Sequence, residues 1–91
     1  MVKINFQEFA MPTSISGAET QTADVRESFA DVVYNHLNGI RAHELAHKIY
    51  KSEGETEFEA AEVEMLKNVA ESYCTPRFID ALNNYIAAAN L

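Results

Sequence analysis

Cysteine is almost missing from this chain. Cys74 stands alone, so no disulfide can form within it, and its thiol content does not favour an oxidising compartment. Glycine is sparse as well: Gly17, Gly39 and Gly54 are scattered singly, with no glycine-rich loop of the kind that cradles phosphate. Lysine and arginine together number seven against fourteen acidic residues, and no basic cluster interleaves with aromatics. That removes the electrostatic footprint of a nucleic-acid binder, and the same acidity disfavours anionic membrane surfaces. No apolar run approaches the length of a membrane span. The opening residues Met1-Val2-Lys3-Ile4-Asn5-Phe6 lack the apolar stretch and cleavage site of a signal peptide, so the expected location is the cytoplasm.

What is present suits a small globular protein. Ninety-one residues leave room for one domain, 1–91, and a hydrophobic content of 47% is too high for disorder. The net charge of −7 is uneven, because residues 53–71 hold seven glutamates against Lys67 alone and so carry −6 of it. Such a run reads as a solvated helix face or as a docking surface for a basic partner.

Local patterns then divide the chain. Val2, Ile4 and Phe6 alternate with Lys3, Asn5 and Gln7, the period of a short strand. Met11-Pro12 breaks it, and a weak return strand over 13–16 would make residues 1–16 a hairpin; residues 17–23 read as loop. A first helix is predicted over 24–51, opened by a capping box at Asp24-Val25-Arg26-Glu27 and ended by Gly54. Asn38-Gly39 lies inside it, a turn signal at which the apolar stripe changes phase, and a break there stands against one continuous helix of about 42 Å. A second helix is predicted over 56–73, opened by Thr56-Glu57-Phe58-Glu59, and a third over 76–89, with Thr75 as cap and Pro76 at its first position. The expected fold is mainly α: a compact bundle of three to four helices with a short N-terminal β-strand or hairpin.

One motif suggests chemistry. His43-Glu44-Leu45-Ala46-His47 reads H-E-x-x-H, in which two imidazoles four residues apart on a helix can hold Zn²⁺ while the glutamate activates a water. His36 lies too far along the axis to join them. If the first two helices run antiparallel, Glu62 comes opposite His47 and is a candidate third metal ligand, or else the hydrogen-bonded partner of one of the histidines. The motif fixes only three positions, however. The further histidine and glycine of longer zinc-protease signatures are absent after His47, where Lys48-Ile49-Tyr50-Lys51-Ser52 follows. His43, His47 and Glu62 are therefore candidate metal residues only, zinc is the alternative to no cofactor, and no catalytic residue is assigned. Cys74 has no histidine near it in sequence and reads as a small buried hydrophobe. Tyr34, Tyr50, Tyr73 and Tyr85 read as core or interface residues.

Two stretches, Asp24-Val25-Arg26-Glu27-Ser28-Phe29-Ala30-Asp31 and Tyr73-Cys74-Thr75-Pro76 with Phe78-Ile79-Asp80, resemble a group of small proteins from prophages and mobile elements of gut bacteria. The resemblance implies a bacterial, phage-derived setting; the group brings no known activity and transfers no functional residue. The expected function is a non-enzymatic interaction or assembly module whose partner is a second copy, as a homodimer, or another protein. The alternative is a metal-binding protein or minimal zinc metallohydrolase built on residues 43–47. Self-association is expected through the second half of the first helix. There Ile40, Leu45, Ala46, Ile49 and Tyr50 leave only a narrow polar strip, and Gly39 permits close approach.

Overall fold

The computed structural model describes residues 2–89. The alternation at the start becomes strand β1 (Val2–Asn5), with Ile4 and then Phe6 buried and Lys3 exposed. Strands β2 (Phe9–Pro12) and β3 (Thr20–Ala23) follow. Helices α1 (Arg26–His36) and α2 (Ile40–Tyr50) come next, then β4 (Glu55–Phe58), α3 (Ala60–Tyr73) and α4 (Pro76–Ala89). The strands make two separate antiparallel pairs, β1 with β4 and β2 with β3. The protein is thus mainly helical, with strands at its N-terminal end, but the two small sheets set it apart from a plain bundle.

Three sequence expectations change here. The return strand lies at Thr20–Ala23, within the segment read as loop, while residues 14–17 are the turn, closed by the Gly17 N–H donating to the Ser14 carbonyl at 3.0 Å. Thr-Gln-Thr-Ala has no apolar alternation, so its strand character comes from pairing with β2 rather than from a buried face. Residues 55–58 form a strand instead of the first turn of a helix. Phe58 takes a buried sheet position opposite Val2, and α3 starts a turn later with a capping box between Glu59 and Glu62. At the start of α1 the capping position is Val25, without a side-chain cap. Asp24 instead accepts from the Arg26 amide at 3.1 Å and from its guanidinium at 2.7 and 3.0 Å. The guanidinium's hydrogen bonds hold the Asp24 carboxyl below its ordinary range.

The open question at Asn38-Gly39 resolves as a break. Gly39 has φ 97° and ψ 170°, a region that only glycine occupies readily, and it separates two helices of 11 residues that pack against each other. Reversal at this point buries Ala42, Leu45, Ala46 and Ile49 of α2. The apolar surface on which the expected helix-mediated dimer rested is therefore largely filled within one chain; Leu45 is 2% exposed and Ile49 fully buried.

The core is organised by phenylalanine. All five, Phe6, Phe9, Phe29, Phe58 and Phe78, are buried. Phe6 is the hub, with ring centroids 5.4 Å from Phe9 and Phe29 and 5.6 Å from Phe58. Phe78 adds contacts at 4.9 Å to Phe9 and 4.5 Å to Phe29. The Phe6 carbonyl also accepts from the Val25 N–H at 2.9 Å, fixing where the hairpin hands the chain to α1.

Two stability outcomes follow. Phe6→Ala is expected to cost about 3–5 kcal/mol in urea unfolding, a large share of the total for a domain of this size. Gly39→Ala meets no atom within 4 Å of the new Cβ, so its expected loss of about 1–3 kcal/mol is purely backbone strain. Urea curves with unchanged slope and a lowered midpoint check both.

Candidate functional site

The H-E-x-x-H residues fall on α2, whose amphipathic period explains their placement. Leu45 and Ala46 face the core, while His43, Glu44 and His47 are exposed. The two imidazoles stand together with ring centroids 4.5 Å apart, and Tyr34 of α1 lies 6.1 Å from His43. His36 is elsewhere, stacked on Tyr73 at 3.9 Å where α1 ends beside the end of α3.

Glu62, on α3, is half-buried, and its partner is a lysine rather than the expected histidine or metal. Both carboxylate oxygens accept from Lys48 Nζ, at 2.9 and 3.2 Å, and Oε1 also accepts the Glu59 N–H that caps α3. Lys48 Nζ in turn lies 4.5 Å from the centre of the Phe58 ring, so one ammonium is shared between a carboxylate and an aromatic face. The structure thus brings His43 and His47 together on α2 and takes Glu62 of α3 into a separate interaction with Lys48, the residue that follows His47. Sequence phase could find the burial of Glu62. The partner depends on which flank of α2 meets α3: His43 and His47 lie on the α1 side, and Lys48, about 100° further round the helix than His47, reaches Glu62. Among the described residues, no three histidine, cysteine or acidic side chains converge as a metal site.

Cys74 follows α3, half-buried, in an apolar groove with Met11, Val32 and Phe78. Burial pushes its thiol pKa up, away from the thiolate that a nucleophile requires. Tyr85 packs on Phe9 at 5.2 Å, and its hydroxyl accepts the Ala10 N–H at 3.1 Å. Tyr34, Tyr50 and Tyr73 are more than half exposed.

The feature that sequence reading missed is a cleft of about 310 Å³ between α1 and α2. Two alanines, Ala30 and Ala46, form its floor, both nearly fully buried. Their small side chains keep the gap between the helices open. Glu27, Asp31 and Tyr34 rise from α1 at a spacing of four and three residues, one face of the helix, and His47 and Tyr50 rise from α2. A second hollow, lined by Asp24, Arg26, Glu27 and Tyr50, adjoins it. No signal in the sequence announces the cleft, because it depends on the reversal at Gly39.

The Lys48–Glu62 pair is expected to show a coupling of about 0.5–1 kcal/mol in a double-mutant cycle of Lys48→Met and Glu62→Gln, read from urea unfolding. No described helix is long and apolar enough to cross a membrane. Comparison of the chain with protein-family models, with curated proteins and with solved structures finds no match.

Proposed function

We propose that this chain is a small non-enzymatic interaction and assembly module that self-associates as a homodimer, in the bacterial, phage-derived cytoplasmic setting that its sequence resemblance implies. The observation that carries the reading is the outer edge of β3. In the β2–β3 ladder the residues facing inward are the odd-numbered ones, since the Thr13 N–H reaches the Glu19 carbonyl and the register pairs Met11 with Gln21. The backbone groups of Thr20 and Thr22 therefore point away from β2, and among the described residues no strand pairs with them.

The two edges of this hairpin are treated differently. On the β2 side, α4 closes the edge: Tyr85 Oη takes the Ala10 N–H, and Arg77 Nε donates to the Pro12 carbonyl at 2.9 Å. On the β3 side Thr20, Gln21 and Thr22 are exposed, uncharged and free of proline, so of the usual devices that blunt an edge this four-residue strand has shortness alone. Charge favours the same place. Residues 9–23 carry Glu19 as their one charged side chain in a chain of net −7, so two copies meeting there avoid the acidic segment 53–71.

A second copy pairs antiparallel about Gln21. Thr20 and Thr22 then exchange backbone hydrogen bonds with the second copy's Thr22 and Thr20, and Glu19 faces an alanine rather than an acid. The result is a four-stranded sheet whose outer edges are both β2, already closed by α4, so assembly stops at two.

Sedimentation equilibrium is expected to give a dimer mass. Gln21→Lys sets two like charges opposite each other at the two-fold axis and is expected to give monomers; mixing it with Gln21→Glu is expected to restore a mixed dimer. A monomer mass for the unaltered chain at about 100 μM, a concentration well above that needed for micromolar affinity, refutes self-association.

A second reading, a metal-binding protein, is favoured by the 4.5 Å separation of the exposed His43 and His47 rings. Its expected signature is zinc affinity lost in His47→Ala and retained in Glu62→Gln, measured by titration calorimetry. Equal loss in both variants would restore Glu62 as a ligand.

A further inference from the structure

We propose that the cleft between α1 and α2 binds an arginine side chain presented by a basic segment of another protein. Its chemistry fits one ligand class. Two carboxylates, Glu27 and Asp31, lie on its rim, Tyr34, Tyr50 and His47 stand at its sides, and no lysine or arginine lines it. The cations nearest in the fold are already committed. Arg26 pairs with Asp24 at 2.7 Å and donates to the Ser52 carbonyl at 3.0 Å, and Lys48 pairs with Glu62. Among the described residues neither Glu27 nor Asp31 has an ion-pair partner. Glu27 also favours the N-terminal turn of α1 by its charge; Asp31, beyond that turn, has no such structural duty.

Arginine fits better than lysine. A planar guanidinium stacks on tyrosine faces and donates in parallel to carboxylates, whereas an ammonium is a hydrated point charge. The alanine floor gives the aliphatic stem an apolar surface to lie on. Tyr34 and Tyr50 are 59% and 55% exposed and stand outside the hydrophobic core, so more than half of each is open to a partner. The surface is separate from the β3 edge, and occupation of one does not require the other.

The test is an NMR titration of the full chain with the capped tripeptide Gly-Arg-Gly, with the lysine and citrulline versions as comparisons, run on the unaltered chain and on Gln21→Lys. Saturable amide shifts confined to residues 27–34 and 46–50 are expected with arginine, weaker by about fivefold or more with lysine and absent with neutral citrulline. Glu27→Gln combined with Asp31→Asn is expected to weaken binding about tenfold, while Glu64→Gln on α3 leaves it unchanged. Shifts spread over residues 53–71, an equal response to lysine, or no saturation would overturn the proposal. So would shifts in 27–34 and 46–50 that appear on concentrating the chain without peptide, which would assign the cleft to a second copy. A dimer that binds no peptide leaves the assembly reading standing and sinks this one alone.

Discussion

The packing of Phe6 against Phe9, Phe29 and Phe58 is the interaction on which the rest of the structure depends. Those rings come from the β1–β2 turn, β2, α1 and β4, and Phe78 ties in α4. A chain of this size has few large apolar side chains, and a single contiguous cluster of rings gives the most buried area per residue. The two strand pairs are too short to be stable alone, and they persist because each is anchored to the cluster through a phenylalanine. Phe58 is opposite Val2 in one pair, and Phe9 opposite Ala23 in the other.

Once the core is satisfied, the outer faces of α1 and α2 are set by periodicity. The same 3.6-residue repeat that turns Ala42, Leu45, Ala46 and Ile49 inward turns His43, Glu44 and His47 outward. The H-E-x-x-H spacing is thus also the spacing of an ordinary amphipathic helix, whose unspecified positions are core residues and whose specified ones are surface. What distinguishes this surface is its neighbour: α1 returns acids and a tyrosine to the same side, across two alanines.

The sequence exposed the elements that advertise themselves by burial. Alternation placed β1, the 3.6 period placed the helices, Pro76 marked the start of α4, and Asn38-Gly39 marked a site of breakage. It concealed the elements defined by pairing. β3 has no buried face, and β4 has one apolar residue at its end, so neither carries a periodic signal strong enough to outweigh loop or helix-start chemistry. The same distinction holds at the candidate site. Burial of Glu62 was legible from helical phase, but its attachment to Lys48 depends on which flank of α2 packs toward α3, and that is set by the tertiary arrangement. The cleft was not legible at all, because it joins side chains from either side of the Gly39 reversal.

Because β1 pairs with β4 rather than with its sequence neighbour, β1 has no partner until α1 and α2 have been made. Phe9 waits longer still, since it packs on Phe78 of α4. During synthesis the apolar side chains of β1 and β2 are thus held in reserve while α1 and α2 are made, and the core closes only once α4 is available. The β2–β3 hairpin, with Glu19 as its one charged side chain, lacks the cover of α4 on its β2 edge throughout that interval, so the nascent chain is at its most adhesive before α4 arrives.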